Sequence, residues 1–275
     1  MKKLTALLLI FAMIFAFGAC KKEEEKVPVS APSVEGVNQK TDETVYAELR
    51  EKAGIEENYH YNELKSDDGV VRFIVKISLP KLTSKTCSAE VAEMINHYYE
   101  NEVYEKDLNF AKINVESAKN YMTKKDSDKP WAIQTSFEVR FFGNDLVCIV
   151  LKRSVSYGGN ATPVISAKCF HLTEGNECSS NDFYIKDVDE ATKAIILDTI
   201  KDNAKYELNP KSVLTDEQVA KIDNVFDPDN GYYITDKGIT FFFNKNQVDP
   251  SQFGTYEYVF FWAEVEYIYK NPMSE

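Results

Sequence analysis

The sequence predicts an α+β fold with largely antiparallel sheets, one long helix in the first half and two shorter helices in the second, preceded by a signal peptide and a disordered tether. The order of hydrophobic periods along the chain carries this prediction: strands come first, followed by a long helix, more strands, two helices and closing strands. Composition supports it as well, because 16 Tyr and 17 Phe suit β-rich structure better than a helical bundle.

The N-terminus has the layout of a bacterial signal peptide. Met1-Lys2-Lys3 precedes a 16-residue apolar run, Leu4–Ala19, that ends in small residues. The run is shorter than the ~20 residues of a membrane-spanning helix, and charged residues follow at once, so a permanent span is the weaker interpretation. Phe17-Gly18-Ala19-Cys20 resembles the lipobox. We therefore expect residues 1–19 to be removed and Cys20 to carry the acyl chains, the alternative being an ordinary secretory peptide with an incidental Cys.

Residues 20–55 are predicted to be the lipidated Cys20 and a flexible tether. From Lys21 to about Thr44 the chain is charged, contains Pro28 and Pro32, and has almost no large apolar residue, so it cannot bury enough surface to fold. Together with Cys20 this predicts an extracytoplasmic protein of the bacterial cell envelope. It would be attached to the membrane by its lipid, on the periplasmic or outer-surface side.

The first half beyond the tether contains a predicted hairpin, a long helix and a strand. Residues 59–79 surround the turn signal Ser66-Asp67-Asp68-Gly69. Helical spacing over 88–125 predicts one long helix or two shorter ones. After Pro130 the period becomes two, which predicts a strand with one buried face. The residues expected on that face are Trp131, Ile133, Phe137, Val139 and Phe141.

A glycine-rich turn is predicted to join the next two strands. Leu146–Tyr157 begins with an apolar run that indicates burial on both faces, and Tyr157-Gly158-Gly159-Asn160 is predicted as a tight turn into Val164–Leu172. A hairpin centred there places Cys148 almost opposite Cys169, so a disulfide between them is one arrangement. Two buried free thiols and a Cys169–Cys178 loop are the alternatives. The absence of CxxC spacing disfavours zinc and thioredoxin-like sites.

The second half is predicted to contain two helices and three closing strands. Asp187-x-x-Glu190 marks the start of a helix over Ala191–Ala204, and Thr215-x-x-Gln218 the start of a shorter one ending near Asn224. The closing strands are predicted at Tyr232–Thr235, Ile239–Phe243 and Tyr256–Tyr267. In the last of them, the residues expected to face inward are Val259, Phe261, Ala263 and Val265.

The acidic balance argues against a nucleic-acid partner. The formal net charge is −12, and removal of residues 1–19, which contain two lysines and no acidic residue, makes it −14. A chain of that charge would repel phosphate backbones. The acidity can simply maintain solubility, or it can attract a basic partner.

A search for catalytic motifs predicts no enzyme, cofactor or metal site. The three histidines, His60, His97 and His171, occur in neither HExxH nor beside GxSxG, and there is no P-loop or GxGxxG. Asp227-Pro228-Asp229-Asn230-Gly231 begins like a calcium loop, but the ligand spacing fails after Asp229, so a polar turn is predicted. Carboxylate pairs are too abundant by chance to indicate a glycosidase.

Two stretches carry a family resemblance. Ser154-Val155-Ser156-Tyr157-Gly158-Gly159 follows the predicted strands, and Ile234–Phe243 is followed by Gly254 and a final strand. Together they resemble the extracytoplasmic module shared by the lysozyme-sensing anti-sigma factor RsiV and the non-catalytic part of the peptidoglycan deacetylase PdaC. This chain has Gly159-Asn160-Ala161-Thr162 where that family commonly has Gly-Gly-Ala-His, and neither the deacetylase's metal motif nor the sigma-binding segment has a counterpart.

The resemblance implies two modules and a contact surface. Residues 56–172 correspond to a PdaC-like N-terminal module, and residues 173–275 to an RsiV-like C-terminal module packed against it. Contacts are expected at the glycine turn and the loop Asn244–Phe253, with aromatic anchors and a carboxylate at the rim. The candidate binding residues are Tyr157, Gly158, Gly159, Asn160, Asp249 and Phe253. The alternative is that the two aromatic side chains pack in the core.

Three functional hypotheses follow. The first is a lipid-anchored, non-enzymatic envelope protein that binds or senses a macromolecule, either a cell-wall component such as peptidoglycan or a basic protein such as lysozyme. The second is a structural or antigenic surface lipoprotein without a specific ligand. The third is a cell-wall hydrolase with unrecognised carboxylates.

Overall fold

The computed structural model describes residues 42–125, 127–208, 214–252 and 254–273, which belong to one compact unit. The predicted signal peptide, Cys20 and most of the predicted tether lie outside these residues. The elements in chain order are α1 (Asp42–Ala53), β1 (Glu56–Lys65), β2 (Val71–Lys81), α2 (Ala89–Tyr99), a π-helical segment (Glu100–Glu105), α3 (Lys106–Lys125), β3 (Trp131–Gly143), β4 (Leu146–Ser156), β5 (Val164–His171), a 3₁₀ turn (Ser180–Phe183), α4 (Glu190–Leu208), α5 (Asp216–Val225), β6 (Tyr232–Ile234), β7 (Gly238–Asn244), a second 3₁₀ turn (Lys245–Gln247), β8 (Thr255–Phe261) and α6 (Trp262–Val265).

The predicted α+β class is confirmed. One sheet has the strand order β1-β2-β3-β4-β5, and a second has the order β6-β7-β8. Neighbouring strands are antiparallel except β2 and β3, which are parallel. Because a parallel pair needs a crossover, the helical stretch from α2 to α3 runs between those two strands. In the described part of the chain, no helix combines the length and apolar character needed to cross a membrane.

The long helix predicted over 88–125 is present as α2, the π-helical segment and α3 in succession. Ser88 begins it by accepting a hydrogen bond from the Val91 amide at 3.3 Å. The buried face of the helix packs on one face of the five-stranded sheet. The core on that side includes Phe73, Val75, Ile77, Ile95, Ala111 and Ile133.

Strand β4 separates two hydrophobic cores, which explains its continuous apolar start. Val147 and Ile149 pack under the long helix, whereas Cys148 and Val150 face a second core shared with β6, β7 and α4. The prediction that this strand is buried on both faces is therefore correct. In β3, a register shift between Val139 and Phe141 sends Phe141 to the second core, so that strand does not keep the single buried face predicted for it.

The β4–β5 pairing places Cys148 directly opposite Cys169, and the two form a disulfide. The connection between the strands is longer than the predicted tight turn. Pairing with β5 begins at Arg153 and Val164, because Ser154–Ser156 instead continue along β3. Gly158 has a φ of +85°, a conformation that favours glycine, while Gly159 does not have a positive φ.

The second half confirms one predicted helix start and corrects another. Thr215 and Gln218 form the expected capping box at the start of α5. The α4 helix, however, is capped by Asp189, whose carboxylate accepts a hydrogen bond from the Thr192 amide at 2.8 Å, and not by Asp187. The stretch Asp227–Gly231 is a polar turn, as predicted, in which the Asp227 side chain accepts the amides of Asp229 and Asn230.

The last strand is shorter than predicted, and its faces are reversed. β8 ends at Phe261, and the chain then turns into α6. The Tyr256 ring stacks on Phe243 at 5.0 Å and its hydroxyl donates to the Ile200 carbonyl, which turns the even-numbered residues inward. Since a strand has period two, Val259 and Phe261 are then exposed. Ala263 and Val265 lie in α6, and of these two only Val265 is buried.

The predicted tether ends too late, because α1 occupies Asp42–Ala53. This helix is held by contacts that no local pattern reveals. The Arg50 guanidinium lies 4.8 Å from the centre of the Phe137 ring, and the Arg140 guanidinium lies 4.3 Å from the Tyr46 ring. Ala53, at the end of α1, is fully buried.

Candidate functional site: an open face of the five-stranded sheet

The first strand presents its aromatic residues to solvent and its polar residues to the protein interior. Asn58 donates to the Glu100 carboxylate, and the His60 ring stacks on Tyr104 at 3.9 Å with its Nε2 3.1 Å from the same carboxylate. Alternation then forces Tyr59 and Tyr61 outward, with 55% and 48% of their surfaces exposed. Neighbouring large exposed side chains of this kind are informative, because folding alone does not require them.

These tyrosines begin two rows of side chains that cross the sheet on one face. Tyr61 pairs with Lys76, Lys76 with Gln134, and Gln134 with Ser154. In the second row, Tyr59 pairs with Ser78, and Ser136 pairs with Lys152. The β6–β8 sheet covers this face of the five-stranded sheet only towards β4 and β5, where Cys148 and Cys169 belong to the second core. Within the described ranges of the chain, the β1–β3 end is left open.

The open end forms a groove with a volume of about 490 Å³. That is within the ~300–1,000 Å³ typical of small-molecule sites. Its floor is formed by residues of the two rows, namely Tyr59, Lys76, Ser78, Gln134, Ser136, Lys152 and Ser154, whereas Tyr61 lies beside Lys76 outside the lining. One side is closed by Ala161 and Pro163 from the loop after β4. Lys76 lines the groove, and its ammonium lies 5.9 Å from the centre of the neighbouring Tyr61 ring, a cation–π distance.

The electrostatics of the groove differ from those of the whole chain. Among the described residues, those that line it include two lysines and no carboxylate, although the chain has a net charge of −12. Lys152 pairs with the Glu138 carboxylate, which also binds Arg140 at 2.7 Å. A hydrogen bond to the Glu63 carboxylate raises the pKa of Tyr61 and keeps its hydroxyl neutral. The groove therefore offers neutral hydroxyls, an amide and cationic groups.

The residues predicted for binding lie at the border of this groove and beyond it. Tyr157 is half-exposed and packs edge-on against Trp131 at 4.8 Å, on the side of the sheet covered by the helix, so it is not a core residue and does not line the groove. Gly158 has Tyr121 beside it, and Gly159 and Asn160 are exposed. These residues belong to the same loop as Ala161 and Pro163, which close one side of the groove.

The second predicted loop does lie next to the first. The Asn244 side chain accepts a hydrogen bond from the Ile165 amide at 3.3 Å and donates to its carbonyl at 3.4 Å. The Asp249 carboxylate accepts hydrogen bonds from the Ser251 amide and hydroxyl, which lower the pKa of that carboxyl and close a local turn. Phe253 lies outside the described residues. The tyrosines of the groove were missed by sequence reasoning, although the alternation of Tyr59 and Tyr61 with polar residues carried the signal.

A second, more enclosed cavity of about 200 Å³ lies under the π-helical segment. It is lined by Tyr99 and Thr135, whose buried hydroxyls have no partner within the described residues. Beside them, the Arg153 guanidinium donates two hydrogen bonds to one oxygen of the buried Asp107, at 3.0 and 2.7 Å. Buried hydroxyls without partners are uncommon in folded proteins, because their desolvation is not offset by a hydrogen bond. Unlike the open groove, this cavity is more enclosed and is lined by hydroxyl groups that have no partner among the described residues.

Comparisons with known proteins identify a family of unknown function. Residues 181–263 match the family described as "Protein of unknown function (DUF3298)". No curated protein matches the sequence. Crystal structures of DUF3298 proteins from Bacteroides fragilis and Pseudomonas aeruginosa PAO1 are similar to this chain, each with a TM-score of 0.50 and 13% identity. The first alignment covers 79% of this chain and 94% of the Bacteroides fragilis protein. The second covers 80% of this chain and 95% of the Pseudomonas aeruginosa protein.

At 13% identity the likeness concerns the fold, and it does not extend to a shared ligand. The predicted resemblance to RsiV and PdaC stays a prediction. The chain thus contains a DUF3298 match within its second half and shares its fold with two DUF3298 proteins.

Proposed function

We propose that this chain is a lipid-anchored, non-catalytic envelope protein that binds a cell-wall glycan, of the peptidoglycan class, in the groove on the open sheet face. The observation that carries the proposal is the inverted alternation of β1, which exposes Tyr59 and Tyr61 while polar side chains face the interior. Folding alone does not require these two neighbouring rings to be exposed.

The chemistry of the groove suits a glycan. Sugar rings present C–H faces that pack on aromatic rings, and hydroxyl and acetamido groups that need both donors and acceptors. Tyr59 in the groove and Tyr61 beside it supply the rings, and Gln134 supplies an amide with both donors and an acceptor. Lys76 adds a cation for the carboxylates that peptidoglycan carries.

The lipid anchor is part of the proposal and rests on the sequence. Cys20 would hold the protein at the membrane through several acyl chains, since a single chain binds only marginally. The segment between Cys20 and α1 would let the folded unit reach the wall. Labelling with a fatty-acid analogue should mark the wild-type protein and not Cys20→Ser; equal labelling of both would remove the anchor from the proposal.

The test of glycan binding is co-sedimentation of the mature protein with purified, insoluble peptidoglycan. The double variant Tyr59→Ala/Tyr61→Ala should lose at least about tenfold in affinity, or ~1.4 kcal/mol, because aromatic anchors dominate binding energy. Its melting temperature should stay near that of the wild type, since both rings are about half exposed. The matched control is Tyr206→Ala, a 76% exposed tyrosine on α4. Equal sedimentation of the double variant and the control would refute the groove as the site.

A basic protein such as lysozyme is the second candidate partner, favoured by the hydrogen bonds between Ile165 at the start of β5 and Asn244 at the end of β7, which bring the loops next to these strand ends together. It would bind those loops and not the groove, because the groove is lined by lysines. Calorimetry with lysozyme at low and physiological salt tests this partner. The binding heat should be lost in the variant Asn160→Lys/Asp249→Lys and kept in Tyr59→Ala/Tyr61→Ala if lysozyme binds to the loops.

A further inference from the structure

Three side chains with metal-binding atoms converge beside the second core. The His171 imidazole, the Cys178 thiol and the Asp182 carboxylate place one ligand atom each within 4.8 Å of one another. Cys178 is not in a disulfide, because Cys169 is joined to Cys148. Within the described residues, neither the His171 ring nor the Cys178 sulfur makes a side-chain hydrogen bond.

The backbone that brings these side chains together is well defined. His171 ends β5, the chain turns at Gly175, whose φ is +77°, and Cys178 returns beside Cys169 with its amide donating to the Cys169 carbonyl at 2.8 Å. Residues 171 and 178 are therefore diagonal neighbours on one face of the returning strand pair, which brings their side chains within reach of each other.

The third side chain is oriented by the turn that follows. Asp182 belongs to a capping box in which its Oδ2 accepts a hydrogen bond from the Ser179 amide at 2.7 Å. Its other oxygen is left for a further contact. The Tyr232 hydroxyl donates to the Cys178 carbonyl at 2.7 Å and holds the thiol-bearing residue in place from the second sheet.

The set of ligand types selects the metal. A thiolate, an imidazole and a carboxylate are the donors that zinc takes in proteins, whereas calcium and magnesium take oxygen ligands alone. Bond lengths of about 2.0–2.3 Å at tetrahedral angles place ligand atoms roughly 3.5 Å apart. The three ligand atoms lie within 4.8 Å of one another, so movements of about an ångström would bring them to that spacing. Because Asp182 is exposed, the fourth position would face solvent.

We propose that His171, Cys178 and Asp182 bind one zinc ion per chain, with a water molecule as the fourth ligand. Binding deprotonates the thiol, whose proton is released to solvent as the sulfur–zinc bond forms. The ion would join β5, the returning segment and the 3₁₀ turn, which lie at the junction of the two halves of the fold.

The test is calorimetric titration of the metal-free mature protein with zinc chloride, together with the absorption spectrum of the cobalt(II) form. We expect one zinc per chain and a thiolate-to-cobalt charge-transfer band. Cys178→Ser should lose that band, and Asp182→Asn, which keeps an acceptor for the Ser179 amide, should weaken zinc binding at least about tenfold. His97→Ala and Cys87→Ser should bind as the wild type does.

The proposal would be overturned by the absence of stoichiometric binding at neutral pH in the reduced, metal-free protein. Binding of equal strength in Asp182→Asn or Cys178→Ser would also overturn it. Asp182→Asn keeps the test decisive if Cys178→Ser fails to fold, because Asp182 is exposed and its cap contact survives.

Discussion

Two buried threonines differ in what their hydroxyl groups contact. Thr135 is 5% exposed, and its hydroxyl has no partner among the described residues. Thr240 is 1% exposed, and its hydroxyl hydrogen-bonds the Tyr233 side chain. The two positions therefore form a matched pair for asking what a buried hydroxyl contributes to stability.

Thr135→Val should leave the free energy of unfolding unchanged or raise it by about 1 kcal/mol, because it removes a desolvated hydroxyl at nearly constant volume. Thr240→Val should lower it by about 1–3 kcal/mol, since the Tyr233 hydroxyl loses a partner. Urea unfolding of the two variants measures both values. A loss at Thr135 as large as at Thr240 would mean that the Thr135 hydroxyl is bonded to something held in the enclosed cavity.

Adjacent glycines in the loop after β4 form a second pair. Gly158→Val should destabilise the fold by about 1–3 kcal/mol, because a β-branched residue at φ +85° is strained and its Cβ would lie 3.3 Å from the Tyr121 ring. Gly159→Val should stay within about 0.5 kcal/mol, since nothing lies within 4 Å of its Cβ position. Thermal melting of the two variants measures this difference in stability. Equal melting temperatures for the two variants would show that this loop conformation is not populated in solution.

At the scale of elements, α1 is docked by side chains of β3, a strand that is distant in sequence. The Arg140 guanidinium donates to the Tyr46 hydroxyl at 3.0 Å and to the Tyr233 hydroxyl at 3.3 Å. Arg140 is also paired with Glu138. Arg140, which lies between Tyr46 and Tyr233, therefore holds the helix together with the contact between Arg50 and Phe137.

Tyr46→Ala should undock α1 while the sheets remain folded, because the ring supplies both the cation–π contact and the hydrogen-bond acceptor. Hydrogen exchange should become faster at the amides of Leu49 and Arg50 and stay unchanged in β4. The control on the same helix is Lys52→Ala, which removes an exposed side chain. Exchange that accelerates uniformly through β4 would show that α1 unfolds only with the whole domain.

The same helix shows where sequence reasoning ends. Elements with a local signal were predictable: the β1–β2 hairpin from its turn, the long helix from its period, and α5 from its capping box. α1 has no such signal, since its stability comes from Arg140 and Phe137, roughly 90 residues away. The prediction of which β8 residues face inward was wrong for a related reason. The odd-numbered and the even-numbered residues of this strand both include large apolar side chains, and only the packing of Tyr256 on Phe243 decides between them.

The candidate site was predictable only in part. The resemblance led us to expect the glycine turn and the loop after β7 in one contact surface, but it did not predict the groove, which the loop after β4 borders through Ala161 and Pro163. The groove itself depends on pairing across four strands, β1 to β4. Periodicity along one strand cannot show which strands are neighbours, nor that the second sheet stops short of β1.

At the scale of the whole molecule, buried tyrosines couple stability to alkaline pH. Burial raises the pKa values of Tyr232, Tyr233, Tyr256 and Tyr269. Burial also raises the pKa of the Cys178 thiol to about 12. In each case the folded state holds the proton more tightly than the unfolded chain, so the stabilisation is complete below the unfolded pKa and is lost as the pH rises above it.

The free energy of unfolding should therefore begin to fall above about pH 8.5, where the unfolded Cys178 thiol ionises, and fall more steeply above about pH 10, where unfolded tyrosines ionise. Each tyrosine contributes a slope of up to about 1.4 kcal/mol per pH unit. Urea unfolding at pH 8, 10 and 11 measures how the free energy of unfolding changes with pH. The control variant is Tyr206→Phe, which removes only an exposed phenol. A free energy at pH 11 equal to that at pH 8 would contradict the assigned burial.

The central claim is that the open sheet face binds the cell-wall glycan, and amide chemical-shift mapping with soluble peptidoglycan fragments tests it most directly. The account predicts that the shifts cluster at Tyr59, Lys76, Gln134 and Ser154, and that the amides around Tyr206 do not move. Shifts confined to the loops 157–163 and 244–252 would contradict it. So would the absence of any shift at about 1 mM fragment, a concentration that detects binding as weak as ~4 kcal/mol.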